Sequence, residues 1–280
     1  MGWTPFSWWK ARNRDARLGA ALGGVVDGGQ HEEEIRERFS TLRFDGDAPV
    51  FDADLCILAF FNRSGSNLLG EYLSSLPGCG GFGESLNAPM IRRISEDAGI
   101  GSFPDYIRHL VKRQAGQRLW GVKAAPGQIS FLLRWNIPAM FRTARIIHIR
   151  RNDLVAQAVS LHFAQATKVW TSRQQSAQEV DPDVEYDFDD LRRKLHSVQK
   201  ANCDIEVLAT VSGLPAQTIL YEQMVARPTQ TVHTLADFLG MDAQDWIAPQ
   251  TRMQKQIMLA KSDMVARFRS DLTASVLRTG

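Results

Sequence analysis

Residues Asp54 to Leu76 read DLCILAFFNRSGSNLLGEYLSSL, and this stretch contains the pattern from which the fold class can be predicted. Its first part, Leu55 to Phe61, is an unbroken apolar run with the length of a buried strand. From Leu68 onward, apolar residues recur at the three- and four-residue intervals of a helix. The stretch therefore predicts a buried strand that leads through a short polar loop into a helix.

The connecting loop, Asn62 to Asn67, consists of turn-forming residues and one arginine. Ser66 or Asn67 is suited to cap the helix that follows. Backbone N–H groups and the positive end of the helix dipole would converge there, so the loop is predicted to hold an anion of phosphate size. A plain strand–turn–helix with a serine cap would give the same pattern.

The loop differs from those of nucleoside triphosphatases and small-molecule kinases. It lacks the second glycine and the Lys-Ser/Thr pair that reach the β- and γ-phosphates and magnesium. An anion other than a metal-bound triphosphate is therefore expected.

The bulk composition favours one large α/β domain in a chain of 280 residues. With 33 Lys and Arg against 31 Asp and Glu, the net charge of +2 argues against a nucleic-acid surface. The three cysteines have neither disulfide-scaffold nor zinc-site spacing, which favours a reducing cytoplasm. We find no apolar run long enough for a membrane span and no signal-peptide layout.

The N-terminal segment is predicted to be separate from the main domain. Residues 1–50 are interpreted as an aromatic-rich arm and a glycine-rich joint, and residues 51–280 as the main domain. Trp3, Trp8 and Trp9 lie beside basic residues, a mixture that occurs at membrane interfaces. The alternative is an arm that packs its aromatic side chains on its own domain or on a second subunit of a homodimer.

A glycine-rich stretch, Pro77 to Ser85, follows the first helix and is predicted to be turn or loop. Glu84 in this stretch comes soon after the anion loop, where a carboxylate could act as general base on an incoming hydroxyl. The alternative is a solvated glutamate that caps a helix starting near Asn87.

Two further strands are predicted to end in basic residues. Trp120 to Lys123 reads as a short strand, with Lys123 at the carboxyl end where open α/β sheets bind ligands. Arg145 to Arg151 reads as a strong strand with an arginine pair at its exit. Solvated strand ends would have the same composition.

A long helix is predicted to begin at Asn152 or Asp153. Ser160 would lie about two turns, roughly 10 Å, beyond its start. Arg151 could bind a phosphate alongside this helix, because its planar guanidinium makes paired hydrogen bonds to phosphate oxygens, and the hydroxyl of Ser160 could approach the same phosphate. The alternative is a basic strand end beside an ordinary polar helix face.

The rest of the chain alternates helices and a strand. The predicted elements are a helix from Phe188 to Ser212, a strand from Thr218 to Glu222, a helix ending near Arg227, a helix from Thr229 to Leu239, and a basic, partly helical tail that includes Lys261 and Arg269. Residues 171–190 are interpreted as a surface excursion near the acceptor site.

Several stretches, in order, resemble one family: the bacterial carbohydrate sulfotransferases typified by trehalose 2-sulfotransferase. They are RSGSNLL from Arg63, the glycine-rich segment with Glu84, RRNDLVAQAVSL from Arg150, LYEQMVARPTQTVHTLADFLG from Leu220, and the tail to Arg269. The resemblance covers roughly residues 54 to 270. It implies a central, mostly parallel sheet flanked by helices in a P-loop-like sulfotransferase fold.

The resemblance also implies a donor, 3′-phosphoadenosine 5′-phosphosulfate, and a set of site residues. The implied ligands of the 5′-phosphosulfate are Arg63, Ser64, Gly65, Ser66 and Asn67. Arg151, with Arg150 as the alternative, and Ser160 would bind the 3′-phosphate. Glu84 would be the general base, Lys123 would stabilise the leaving 5′-phosphate, and no metal is required. Asn67 replaces the usual threonine, and Gly83 and Ser85 flank Glu84 where relatives have proline and an aromatic residue.

The predicted function is transfer of a sulfuryl group to a hydroxyl of a carbohydrate or glycolipid in the bacterial cytoplasm, with peripheral membrane contact through the tryptophan-rich arm. The alternative is an inactive nucleotide-binding or scaffold protein on the same fold.

Overall fold

A computed structural model describes residues 29–170, 184–249 and 259–278. The strands are β1 (Asp54–Phe60), β2 (Cys79–Gly83), β3 (Leu119–Ala124), β4 (Ala144–Arg150) and β5 (Ala216–Leu220). The α-helices are α1 (Gly29–Arg38), α2 (Ser66–Ser74), α3 (Ala88–Asp97), α4 (Phe103–Lys112), α5 (Pro126–Arg134), α6 (Leu154–Thr167), α7 (Phe188–Ser212), α8 (Tyr221–Ala226), α9 (Pro228–Leu239) and α10 (Leu259–Arg278). A short 3-10 helix spans Ile137–Met140.

The strands form one parallel sheet in the order β2-β3-β1-β4-β5. The most apolar strand, β1, lies at the centre and pairs with β3 on one side and β4 on the other. A parallel sheet covered on both faces needs such continuous apolar strands, because both faces are buried. The predicted α/β architecture is confirmed.

Alternate residues of β1 enter two different cores. Leu55 and Ile57 pack in a cluster with α1, α4, α5 and α7. Cys56 and Leu58 point to the opposite face and pack in a cluster with α2 and α9. Successive side chains of a strand point to opposite faces of the sheet, so β1 supplies apolar side chains to both layers of helices.

One element was predicted wrongly. The stretch from Pro77 to Ser85 was interpreted as turn or loop, but Cys79–Gly83 forms edge strand β2 and pairs with β3. Glycine density disfavours a strand in general. Here it permits an irregular one, because Gly81 adopts φ 91° and the pairing register shifts between Gly81 and Gly83.

Most other elements agree with the sequence to within a few residues. Helix α7 has the predicted bounds, and Gly213 follows it in a left-handed conformation. Strand β5 ends at Leu220, so Tyr221 and Glu222, predicted as strand, begin helix α8 instead.

The two ends of the described chain pack on the sheet's helices. From α1, Ile35 is buried in the core together with Phe39, which follows that helix. From α10, Met264 and Phe268 pack against α6 and α7. The tryptophans of the predicted arm and residues 171–183 lie outside the described residues, and the division at residue 50 stays a prediction. Within the described ranges, no helix has the length and apolarity that crossing a membrane requires.

Candidate active site

All strands run parallel, so their carboxyl ends meet at one edge of the sheet. The predicted site residues lie at this edge. Glu84 follows β2, Lys123 is near the end of β3, the loop from Asn62 to Gly65 follows β1, and Arg151 follows β4. Residues that were singled out in separate stretches of the sequence thus lie along one edge of the folded sheet.

The loop after β1 has a compact backbone. Arg63 and Gly65 adopt left-handed conformations, with φ of 66° and 95°. Gly65 is the N-terminal capping position of α2 and no side chain caps the helix, so the prediction that Ser66 or Asn67 caps it is wrong. Ser64 is buried and its hydroxyl oxygen has no hydrogen-bond partner among the described atoms. The first N–H groups of α2 are therefore not capped by a side chain.

Gly65 is required at its position for two reasons. Its φ is one that only glycine adopts without strain. A Cβ atom added there would also lie 2.3 Å from Cδ2 of Tyr221, the first residue of α8. The Tyr221 ring thus closes one side of the loop.

The corners after β1 and β4 are joined directly. Gln157 of α6 donates from Nε2 to the carbonyl oxygen of Asn62 at 2.9 Å. Arg63 donates from Nε to the hydroxyl oxygen of Ser160 at 3.0 Å and from Nη1 to the carbonyl oxygen of Trp170 at 2.6 Å. The residues predicted to bind the two ends of the donor are therefore neighbours.

Alternation along β4 separates the two candidate arginines. Arg150 donates from Nη1 to Glu206 of α7 at 2.8 Å. The guanidinium carbon of Arg151 lies 4.7 Å from the centre of the Tyr221 ring. Arg151 therefore faces the loop after β1, whereas Arg150 pairs with a glutamate of a covering helix.

Positive charge is concentrated between the loop and α10. Burial, and then the charge of Arg151, lower the pKa of Arg63. Burial, and then the charge of Arg63, lower the pKa of Lys261. The Nζ atom of Lys261 lies 5.2 Å from the ring centre of Phe163, about one turn beyond Ser160 on α6. Three cations that repel one another favour a bound anion between them.

Sequence reasoning missed Glu222 and Lys261 as members of this region. The Glu222 carboxylate accepts hydrogen bonds from the backbone N–H groups of Asn152, at 3.1 Å, and Asp153, at 3.4 Å. Its Oε1 atom also lies 3.8 Å from Nε of Arg151. Its carboxylate therefore holds the start of α6 and the arginine together. The Tyr-Glu pair after β5 was the available signal, but it was interpreted as the end of a strand.

Lys123 connects the loop to the predicted base. Its ammonium donates to Oδ1 of Asn67 and, at 2.6 Å, to Oε1 of Glu84. It also lies 4.5 Å from the centre of the Phe60 ring. Burial lowers the pKa of Lys123, while the hydrogen bond and charge of Glu84 act in the opposite direction. Asn67 thus serves as an acceptor for this lysine.

The irregularity of β2 positions Glu84. Phe82 adopts φ 58° at the register shift, and its ring covers Gly121 of β3 so closely that a Cβ there would lie 2.5 Å from the ring atoms. Bulges of this kind re-aim the chain beside functional sites. Glu84 leaves the bulge with its side chain 46% exposed.

The arrangement combines a compact loop at an uncapped helix N-terminus, a cationic region beside it, and a half-exposed carboxylate paired with a buried lysine. It suits transfer of an anionic group to a hydroxyl, in which the protein positions charge and receives one proton. Across residues 29–170, 184–249 and 259–278, no group of His, Cys, Asp and Glu side chains is arranged to hold a metal ion.

Solved structures similar to this chain are sulfotransferases. One, from Alicyclobacillus acidocaldarius, is 17% identical with a TM-score of 0.46, covering 81% of this chain and 94% of its own. The sulfotransferase domain of the Synechococcus PCC 7002 olefin synthase is 17% identical with a TM-score of 0.49, covering 82% and 98%. Mouse sulfotransferase SULT7A1, complexed with PAP, is 16% identical with a TM-score of 0.41, covering 84% and 68%. Similarity at this level assigns no function.

The family comparison is more informative. No curated protein matches the chain significantly in sequence. The family described as Stf0 sulphotransferase, however, matches residues 109–271. The matched region contains Lys123, Arg151 and Ser160, and begins after the β1 loop and Glu84. Because the match spans more than half of the chain, this protein belongs to the Stf0 sulphotransferase family and is a sulfotransferase.

Proposed function

We propose that this enzyme transfers a sulfuryl group from 3′-phosphoadenosine 5′-phosphosulfate to a hydroxyl of a carbohydrate or glycolipid. The observation that carries the proposal is the 3.0 Å contact between Arg63 and Ser160. It joins the loop proposed for the 5′ end of the donor to the residues proposed for its 3′-phosphate. A nucleotide with phosphates at both ends would fit two adjoining anion sites of this kind.

The proposed donor site uses backbone and side-chain groups in different ways. The N–H groups at the start of α2 and the hydroxyls of Ser64 and Ser66 would hold the 5′-phosphosulfate. A helix N-terminus and a tight loop favour such an anion. Arg151 and Ser160 would hold the 3′-phosphate, because Arg151 faces this side of the edge and Arg150 pairs with Glu206.

The proposed reaction needs one base and one cation. Glu84 accepts the proton of the acceptor hydroxyl as that oxygen bonds to sulfur, and the bond between sulfur and the 5′-phosphate oxygen breaks. Lys123, bonded both to Glu84 and to Asn67 of α2, stabilises the negative charge that develops on the leaving phosphate. The products are a sulfate ester and adenosine 3′,5′-bisphosphate, and no metal is required by this scheme.

The acceptor class and the location are proposed on other grounds. The motifs from Arg63 to Arg269 resemble carbohydrate sulfotransferases, which favours a sugar hydroxyl over a phenol or an amine. Cys56, Cys79 and Cys203 are free thiols in the structure, as expected in a reducing cytoplasm. Peripheral membrane contact and a homodimer, both through the N-terminal arm, complete the proposal.

The direct test uses ³⁵S-labelled donor and glycans or glycolipids extracted from bacteria. The wild-type protein is expected to label a sugar-containing product, and Glu84→Ala to label it at a rate lower by about 10²–10⁴-fold. An inactive nucleotide-binding protein would bind adenosine 3′,5′-bisphosphate but label nothing. Unchanged labelling by Glu84→Ala would remove Glu84 as the base.

A further inference from the structure

We propose that Asn87 and Gln128 are positioning residues that orient the Glu84 carboxylate for proton transfer. This inference rests on the proposed function, because it gives Glu84 the role of base. It goes further by assigning a task to two residues that the sequence motifs leave aside.

The contacts form an ordered chain. Asn87 donates from Nδ2 to Oε2 of Glu84 at 3.2 Å, while Lys123 donates to the other oxygen, Oε1, at 2.6 Å. Gln128 in turn donates from Nε2 to Oδ1 of Asn87 at 3.0 Å. The backbone N–H of Ala125 donates to Oε1 of Gln128 at 2.9 Å. Each acceptor in the chain is thus fixed by the residue behind it.

The side chain of Asn87 makes these contacts and not a helix-capping hydrogen bond. It is the N-terminal capping residue of α3, and asparagine is among the best side chains for capping a helix. Its side chain nevertheless makes no capping hydrogen bond. The amide is directed to Glu84 and Gln128 instead, so helix capping does not account for its orientation.

Gln128 provides a rigid support. It is 5% exposed, and both ends of its side-chain amide are used: the oxygen accepts from the backbone N–H of Ala125 and the nitrogen donates to Asn87. It belongs to α5, which begins directly after the strand that carries Lys123. The corner between β3 and α5 therefore holds one Glu84 oxygen directly through Lys123 and the other indirectly through Gln128 and Asn87.

The consequence for the reaction is orientation. A glutamate that is 46% exposed has freedom to rotate unless its oxygens are held. A base must meet the acceptor proton at hydrogen-bond distance in a defined direction, and small misplacements cost rate. The neutral amide of Asn87 fixes the second oxygen without adding a further positive charge to the carboxylate.

The test compares Asn87→Asp with the wild-type protein. The aspartate keeps the shape of the side chain and the helix-capping preference, but it has no N–H to donate and places a negative charge beside the Glu84 carboxylate. With ³⁵S-labelled donor and the glycan fraction that the wild type labels, we expect kcat to fall about tenfold. Affinity for adenosine 3′,5′-bisphosphate should be unchanged. Gln230→Glu, the same amide-to-acid change at an exposed site of α9, should leave both quantities unchanged.

A double-mutant cycle separates positioning from a general structural effect. In the Glu84→Ala background there is no carboxylate to orient, so Asn87→Asp should cost nothing more. Gln128→Leu should lower kcat and add little once Asn87 has been changed. A tenfold loss that persists in the Glu84→Ala background, or a wild-type rate in Asn87→Asp, would overturn the inference while leaving the proposed function intact. No label transfer by the wild type would overturn the proposed function and this inference with it.

Discussion

The carboxyl edge of the sheet has two halves that are built in different ways. The half that we propose binds the donor, the donor half, consists of the ends of β1, β4 and β5, with the Gly65 loop, Arg151 and Tyr221. The half that we propose faces the acceptor, the acceptor half, consists of the ends of β2 and β3, with Glu84 and Lys123. In the donor half β1 and β4 pair in continuous register, whereas in the acceptor half β2 is bulged between Gly81 and Gly83.

This difference suggests that the two halves have separate tasks, one to hold an anion and the other to position a carboxylate. The donor half presents backbone N–H groups and arginines from regular strand ends, which suits a fixed anion. The acceptor half orients one carboxylate, that of Glu84, by means of the bulge between Gly81 and Gly83 and the buried Lys123. If this division is correct, substitutions in one half should change donor affinity and substitutions in the other should change turnover.

Among the substitutions that test this division, the largest effect is expected for Lys123→Met in the acceptor half. Loss of its charge should lower turnover by about 10²–10³-fold, as for removal of one group that stabilises a leaving or developing anion. Affinity for adenosine 3′,5′-bisphosphate should change far less. The free energy of unfolding should stay within about 1 kcal/mol or rise, because the charge of Lys123 is disfavoured by burial and the Glu84 carboxylate left behind is half-exposed to water. A loss confined to nucleotide binding would place Lys123 in the donor half.

In the donor half, Gly65→Ala should act on binding. The added methyl group meets both an unfavourable φ of 95° and the Tyr221 ring at 2.3 Å. We expect affinity for adenosine 3′,5′-bisphosphate, measured by calorimetry, to fall about 30-fold or more, corresponding to about 2 kcal/mol of strain and overpacking. Two control variants separate strain from overpacking. Gly99 has a φ of 62° but open space around it, so Gly99→Ala measures the conformational cost alone in the free energy of unfolding. Gly101 has open space and no positive φ, so Gly101→Ala should behave like the wild type.

The bulge can be tested with Gly121→Ala. The new Cβ would lie 2.5 Å from the Phe82 ring and displace the bulge that carries Glu84. Overpacking of this kind costs about 1–3 kcal/mol of stability, so the midpoint of thermal unfolding should fall. Turnover should fall more than nucleotide affinity does. Equal losses of both would show that the two halves are not independent.

A smaller effect is expected for Ser160→Ala. Removing its hydroxyl takes one hydrogen bond from Arg63 and, in the proposed complex, one from the 3′-phosphate. Affinity for adenosine 3′,5′-bisphosphate should fall about tenfold, the lower end of the effect of losing a hydrogen bond to a charged group. Affinity for adenosine 5′-phosphate should change less, because that nucleotide lacks the 3′-phosphate. Equal losses for both nucleotides would separate Ser160 from the 3′ site.

The smallest effect concerns pH. The pKa of Lys123 is lowered in the folded state, so the unfolded chain binds more protons between that pKa and 10.5. Stability therefore increases with pH across this window through Lys123. Denaturant unfolding of the wild type compared with Lys123→Met should show the wild type gaining relative stability as pH rises through it. A parallel pH dependence in the two proteins would contradict the assignment.

The donor half was largely predictable from sequence, and the acceptor half only in part. Leu55 to Phe60 form a continuous apolar run, and such runs identify interior parallel strands. Cys79–Gly83 has no apolar run, so its strand character depends on pairing with β3 and on glycine conformations that only the folded chain defines. Glu84 was found by its nearness to the motif, but its support by Asn87 and Gln128 depends on contacts between distant elements.

The capping residue of α2 and the partners of the charged side chains in the site could not be predicted from the sequence either. Serine at position 66 is a residue type that commonly caps helices, yet Gly65 takes the capping position of α2, with a φ of 95° and the Tyr221 ring beside it. The choice between Arg150 and Arg151 depends on which face of β4 each side chain meets, and adjacent arginines leave that undecided in the sequence. Lys261 becomes a neighbour of Arg63 only through the docking of α10 on α6.

Calorimetric titration of the wild-type protein with adenosine 3′,5′-bisphosphate and with adenosine 5′-phosphate tests the central claim, that two adjoining corners bind one doubly phosphorylated nucleotide. We expect one site per chain, with affinity for the bisphosphate at least tenfold higher than for the monophosphate, and loss of that preference in Arg151→Ala. Absence of binding heat with the bisphosphate, or equal affinity for the two nucleotides, would contradict it.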